Sequence, residues 1–138
     1  MKNVTLDKEE VTILQTVVCE AFTVKLRSDG IVHSHTSDEK EFNVESLKKF
    51  TIAMGEMTGH KQAPLLLTLD EFAIPPVETR VFWAKKESCP YASAEAYFTT
   101  IVGHRIIGNV YLTFNKPGRP TKIFSNMDEA IKWLKTFL

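Results

Sequence analysis

The closing part of the chain alternates between strand-like and helix-like patterns, and this alternation constrains the fold most. Residues 92–102 have the composition of a strand, and residues 104–114 then bring apolar side chains onto one helical face. Residues 121–124 predict another short strand. Ser125, with Asp128 three positions later, matches a variant of the capping box that begins a helix. Alternating strands and helices predict parallel strands joined by helical crossovers.

The helix predicted over residues 104–114 has an alternative, because residues 110–114 are also consistent with a strand. As a helix, the segment is expected to turn five apolar side chains toward the core. These are Ile106, Ile107, Val110, Tyr111 and Phe114.

The opening part of the chain predicts an antiparallel hairpin. Residues 11–18 are mostly apolar, and residues 22–27 alternate between apolar and polar side chains, as in a strand with one buried face. Asp29-Gly30 follows and is a strong turn signal, because both residues tolerate positive φ. Residues 31–36 then return as the partner strand.

The middle of the chain predicts a helix and a buried strand. Apolar side chains recur every three or four positions over residues 44–57, which is typical of an amphipathic helix. Asn43 is placed to cap its start, and Gly59 to end it in the left-handed conformation. Residues 65–69 are an apolar run without alternation, which indicates a central strand covered on both faces.

Pro75-Pro76 interrupts the chain and can begin a further helix, whose Val77, Val81 and Ala84 are expected to face the core. The resulting order predicts one α/β domain over residues 1–138. Its sheet is mixed, with an N-terminal antiparallel hairpin, parallel central strands and about four packed helices. A chain of 138 residues can bury roughly 68% of the surface that its unfolded form exposes, which is enough for a core.

Charge and composition exclude several classes of function. Seventeen basic and seventeen acidic residues give a net charge of zero, which argues against nucleic acid or a membrane surface as the partner. No run approaches 18 apolar residues, so no membrane span is predicted. The polar N-terminus, residues 1–10, lacks the apolar segment of a secretory signal. We therefore expect a cytoplasmic protein in which Cys19 and Cys89 are free thiols.

Six short segments carry a family resemblance; they are Phe22–Leu26, Asp29–His33, Gly108-Asn109, Asn115–Pro117, Pro120–Phe124 and Asp128–Leu134. Together they resemble a family of small bacterial proteins described as STAS-like, related in fold to anti-sigma-factor antagonists and to CRAL-TRIO lipid-binding domains. The resemblance spans residues 22–138. It implies a STAS-like α/β fold and a regulatory role through protein contacts, and it implies no established enzyme.

The resemblance also implies a test of one regulatory mechanism. In phosphoswitch antagonists, a serine or threonine follows an aspartate at the start of the helix after the central strand. The matching segment of this chain, residues 70–76, contains no hydroxyl residue, and the next one along the chain is Thr79. This departure argues against regulation by a serine kinase.

Polar side chains follow two of the predicted parallel strands. Asp70 and Glu71 come after the central strand, and His104 and Arg105 come after the next one, at the start of a helix. Helix starts favour anions, and the carboxyl ends of parallel strands meet at one edge of a sheet. We therefore predict a ligand site at this edge, formed by these four residues. The alternative is that all four are solvated residues of loops and a first helical turn.

Two histidines and two basic residues form the other candidate groups. His33 and His35 share a strand face, but no third or fourth ligand accompanies them, so no metal site is predicted. Lys116 and Arg119 give positive charge to the rigid loop 115–120, which predicts a contact with a partner. The alternative is that this loop only sets the angle between a helix and a strand. No catalytic residue and no cofactor is predicted, because no nucleophile or cofactor motif is found.

The sequence favours a non-enzymatic protein-binding or regulatory module with an unknown protein partner. A homodimer is also predicted, because a hairpin leaves an exposed strand edge. The alternative function is a carrier of a small apolar or anionic ligand at the carboxyl edge of the sheet. An enzyme that uses the four polar residues of that edge ranks below both.

Overall fold

A computed structural model describes residues 10–138 of the chain. The first nine residues of the predicted polar N-terminus lie outside the described residues. The strands are β1 (Ile13–Cys19), β2 (Phe22–Arg27), β3 (Val32–Thr36), β4 (Ala63–Leu69), β5 (Ala92–Phe98) and β6 (Thr121–Phe124). The helices are α1 (Val44–Met57), α2 (Val77–Trp83), α3 (Val102–Val110) and α4 (Met127–Lys135).

The six strands form a single mixed sheet in the order β1-β2-β3-β4-β5-β6. The first three strands are antiparallel, and β3 to β6 are parallel. This confirms the predicted hairpin and parallel central strands. Because each crossover moves one strand further in the same direction, the right-handed rule places α1, α2 and α3 on one face. The last helix, α4, covers the other face against β4, β5 and β6.

Two apolar cores result, one on each face of the sheet. Leu65 and Leu67 of β4 belong to the core beneath α1, α2 and α3. Leu66, between them, belongs to the core beneath α4. Successive side chains of a strand point to opposite faces, so a strand covered on both sides needs an unbroken apolar run. This explains the absence of alternation in residues 65–69.

Local signals set the hairpin and the first helix as predicted. Gly30 has a φ of 89°, and the Asp29 carboxylate accepts a hydrogen bond from the Ile31 amide at 3.2 Å. Asn43 caps α1 by accepting a hydrogen bond from the Ser46 amide, and Ser46 completes the capping box. Gly59 lies just after the end of α1 with a φ of 65°.

The segment 104–114 is helical, so the helical alternative is correct. The helix α3 continues into a single π turn, Tyr111–Asn115, in which the Lys116 amide donates to the Tyr111 carbonyl at 3.1 Å. The predicted inward face was partly wrong, because Tyr111 is buried while Ile106 and Phe114 are exposed. The π turn holds an extra residue and so moves Phe114 out of the helical pattern. Ile106 lies before this turn, on the exposed side of α3.

Two other helix predictions were wrong in detail. In α2, Val77 and Val81 are exposed, and the buried side chains are Thr79 and Trp83, followed by Ala84. A helix of seven residues offers too few turns for its apolar spacing to determine which face is buried.

The last helix begins one residue later than predicted. Asn126 caps α4 by accepting a hydrogen bond from the Glu129 amide at 3.0 Å, so the cap is not Ser125. Both residue types favour caps, and the structure selects the second. Within residues 10–138, no helix combines the length and the apolar character needed to cross a membrane.

Candidate functional site

A cavity lies between the sheet and α1, α2 and α3, at the carboxyl ends of the parallel strands. Its volume is about 80 Å³, and its mouth opens to solvent. The inner part therefore has room for several waters or a small organic molecule. Six aromatic residues form much of its wall: Phe22, Phe42, Phe50, Trp83, Tyr97 and Tyr111.

The aromatic wall is held by edge-to-face contacts between rings from different elements. Phe22 of β2 packs against Phe50 of α1 at 5.3 Å between ring centroids, and Phe50 packs against Trp83 of α2 at 5.8 Å. Phe42, before α1, packs against Phe22 at 5.6 Å. Such contacts add to the burial of apolar area and fix ring orientation. The apolar side of the cavity is therefore preformed.

Several hydroxyl groups interrupt this apolar lining, and two of them are buried without a hydrogen-bond partner among residues 10–138. Ser34 of β3 and Thr79 of α2 line the cavity and are 0% and 1% exposed. Neither the Ser34 Oγ nor the Thr79 Oγ1 has a hydrogen-bond partner among residues 10–138. A buried polar group without a partner costs about 1–3 kcal/mol of stability. The cavity therefore contains unused hydrogen-bonding capacity at two points.

Arg80 of α2 adds a positive charge to the same lining. Its Nη1 donates a hydrogen bond of 2.7 Å to the Pro75 carbonyl, while its buried Nε has no partner among the described residues. None of the ion pairs formed within residues 10–138 includes Arg80. The guanidinium is therefore held in place by the backbone and keeps one edge for another acceptor.

His104 is the member of the predicted site that reaches this cavity. Its Nε2 donates to the Glu71 carbonyl at 2.7 Å, and its Nδ1 lies 3.0 Å from the Thr99 hydroxyl. Because a carbonyl can only accept, the proton of the neutral ring lies on Nε2, and Nδ1 accepts from Thr99. His104 thus joins α3 to the loop after β4. It lies buried in the wall of the cavity.

The other three predicted residues do not meet at the cavity. The Glu71 and Arg105 side chains are exposed, and neither residue lines it. Asp70 bonds instead to His35, with 2.8 Å between Oδ1 and the His35 Nε2. The hydrogen bond from His35 holds the pKa of the Asp70 carboxyl below its usual value. The structure therefore brings His104 together with the Glu71 backbone and leaves Asp70 with a separate cluster.

That cluster lies on the sheet face that α4 covers only in part. The Thr68 Oγ1 is 2.8 Å from the His33 Nε2 and 2.7 Å from the His35 Nδ1. Burial, with help from the positive charge of His35, lowers the pKa of His33 to about 4. Among the residues described, no three His, Cys, Asp or Glu side chains are grouped as metal ligands.

Arg119 has a different place from the one its loop predicts. Its side chain is 3% exposed, and its Nη1 lies 2.7 Å from the Glu95 Oε2. The guanidinium also stacks over the Trp83 ring at 4.8 Å. Burial raises the pKa of Glu95, and the charge of Arg119 opposes this. Arg119 therefore anchors its loop inside the domain, because a buried carboxylate needs a paired cation, whereas Lys116 is exposed.

Sequence reasoning missed Glu95, Ser34, Thr79 and Arg80. Glu95 could have been found, because one acidic residue in the otherwise apolar and small strand 92–98 indicates a buried ion pair. The other three give no local signal. Serine and threonine are common in strands and short helices, and only the surrounding fold leaves these hydroxyls without partners.

Comparison with known proteins places the chain in a family without an assigned role. No curated protein matches it. A crystal structure of a protein of unknown function from Arthrobacter sp. FB24, at 2.20 Å resolution, is 20% identical. That match covers 80% of this chain and 96% of the other, with a TM-score of 0.29. Residues 24–138 match a family profile, and the chain therefore belongs to the family described as "Domain of unknown function (DUF7793)".

Proposed function

We propose that this domain is a non-enzymatic binding module that holds one small, largely apolar ligand in the cavity beneath α1, α2 and α3. The observation that carries the proposal is the pair of buried hydroxyls, Ser34 and Thr79, which have no hydrogen-bond partner in the described part of the chain and lie in a largely apolar lining. Ligand sites in proteins are typically apolar cavities with a few fixed polar groups. A bound ligand would satisfy the polar groups that the chain leaves open.

The lining favours binding over catalysis. His104 is the histidine of the lining, and both of its ring nitrogens are already within hydrogen-bonding distance of Thr99 and Glu71. A general base needs a free nitrogen within reach of the substrate. The resemblance to STAS-like proteins, whose relatives in fold include lipid-binding domains, agrees with a carrier or sensor of a small molecule.

A neutral, environment-sensitive dye tests this proposal. We expect 6-propionyl-2-dimethylaminonaphthalene to bind saturably with a blue shift of its emission. Ala73 is buried in the cavity lining, so Ala73→Met is expected to fill the space and to abolish the shift. Ala53→Met on α1, which does not line the cavity, is the matched control. Equal dye binding by both variants, or no saturable binding by the wild type, would contradict the proposal.

A second candidate function is docking of a protein partner, as the sequence favours. It is supported by a run of exposed apolar side chains on α2 and the loop before it: Phe72, Ile74, Val77 and Val81. Monomeric proteins rarely expose contiguous apolar patches unless they bind something. In a pull-down, a partner protein that binds the wild type but not the double variant Phe72→Ser, Val77→Ser would support docking. Retention of the same proteins by both would count against it.

The predicted homodimer would use a different surface. β1 lies at one edge of the sheet, and Ile13, Leu14 and Val18 on it are exposed. Light scattering after size exclusion is expected to give twice the chain mass, and Val18→Lys to give a single chain mass. A wild-type protein of single chain mass would remove the homodimer from consideration. The cytoplasmic location likewise stays a prediction.

A further inference from the structure

We infer that the ligand carries one carboxylate, which binds the free edge of the Arg80 guanidinium while its apolar body lies against the aromatic wall. This inference rests on the proposed binding function and specifies the chemical class of the ligand. The observation behind it is the buried Nε of Arg80, which has no hydrogen-bond partner among residues 10–138.

The guanidinium of Arg80 is oriented before any ligand arrives. The hydrogen bond from Nη1 to the Pro75 carbonyl, at 2.7 Å, fixes one side of the group. The opposite side carries Nε, which is enclosed and has no partner among the described residues. In an arginine, Nε and Nη2 point in the same direction and together form a fork for two oxygen atoms. This is the side of Arg80 that remains to be satisfied.

Another arginine of this chain shows what such a fork binds. Arg27 donates from Nε to the Asp29 Oδ1 at 3.1 Å and from Nη2 to the Asp29 Oδ2 at 2.7 Å. The two parallel hydrogen bonds match the two oxygens of a planar carboxylate. Arg80 lines the cavity, and no carboxylate of residues 10–138 pairs with its guanidinium.

Charge selects a monoanion over other ligands. A neutral ligand leaves the half-buried guanidinium without a counter-charge, and removal of a charge from water is costly unless it is paired. A phosphate monoester carries close to two negative charges, whereas Arg80 supplies one positive charge to the lining.

Octanoate and 1-octanol form the matched pair of probes, because they differ only in the head group. In calorimetric titrations of the full chain at pH 7.5, octanoate is expected to bind about ten- to a hundredfold more tightly than 1-octanol. Arg80→Gln is expected to remove this preference and to leave the affinity for 1-octanol within about threefold. Arg105→Gln alters an exposed arginine that does not line the cavity, so it is the control and should change neither affinity.

The outcomes separate the two proposals. Equal affinities of the wild type for octanoate and 1-octanol would overturn the carboxylate inference while the binding function stands. Tighter binding of octyl phosphate than of octanoate would also overturn it. Absence of saturable binding of the neutral dye, which is measured separately, would overturn the binding function itself. If Arg80→Gln loses its far-ultraviolet circular dichroism, Arg80→Lys takes its place. Lysine keeps the charge without the fork, so an octanoate affinity equal to the wild type would contradict the fork.

Discussion

Replacement of Thr79 by valine is expected to stabilise the protein, although the residue is almost completely buried. The Thr79 Oγ1 has no hydrogen-bond partner among residues 10–138, so folding removes it from water without compensation. Valine has nearly the same shape and presents a methyl group in place of the hydroxyl. A buried threonine with a partner would give the opposite result, so the sign of the change tests the description of the cavity.

The size of the effect follows from the cost of burying a free hydroxyl. Mutational data put that cost at about 1–3 kcal/mol, and the helix propensities of Thr and Val are similar. Thr79→Val is therefore expected to raise the free energy of unfolding by about 1 kcal/mol. For a domain of this length, this corresponds to an increase of about 3 °C in the midpoint of thermal unfolding.

Urea unfolding followed by circular dichroism measures this change, and Thr51 supplies the matched control. The Thr51 Oγ1 donates a hydrogen bond of 2.8 Å to the Ser88 carbonyl. Thr51→Val should therefore lower the free energy of unfolding by about 1 kcal/mol. If Thr79→Val destabilises the protein as much as Thr51→Val, the Thr79 hydroxyl has a hydrogen-bond partner. The cavity then lacks the unpaired hydroxyl on which the proposed function depends.

Three further predictions concern the rest of the domain. Glu95→Gln should lower the free energy of unfolding by about 3–5 kcal/mol, because it leaves the Arg119 charge buried and unpaired; a loss below 1 kcal/mol in urea would contradict this. The pKa of His33 falls on folding from 6.5 to about 4, so the unfolded chain binds more protons between those values. Stability should therefore decrease as the pH falls through this window, and less so in His33→Gln. Gly55→Ala should cost about 1–3 kcal/mol, because the new methyl would lie 2.5 Å from the Tyr91 ring; a thermal midpoint equal to the wild type would refute the clash.

The elements predicted most accurately are those with strong local signals. The Asp29-Gly30 turn needs a residue with positive φ, and Gly30 supplies it. The cap at Asn43 depends on a hydrogen bond to Ser46, three residues away. The unbroken apolar run of residues 65–69 reflects two covered faces, which any central strand of this kind requires. In the first two cases the physical cause acts within a few residues, and in the third the apolar run itself records burial on both faces.

The predictions that failed depend on contacts between distant segments. Arg119 belongs to a charged loop by its sequence, but Glu95 on β5 draws it into the interior. The buried face of α2 contains Thr79 and Trp83, because Trp83 packs against Phe50 of α1. Neither partner can be recognised from the segment itself.

The sequence by itself determined the class of the fold and the order of its elements. Only the tertiary structure decided which side chains line the cavity at the carboxyl edge of the sheet. Asp70 turns toward His35 on one face, while Ser34, Thr79 and Arg80 line a cavity on the other. The physical reason is that residue spacing records which side chains share a face. Whether a buried hydroxyl or guanidinium finds a partner depends on strands and helices that meet only after folding.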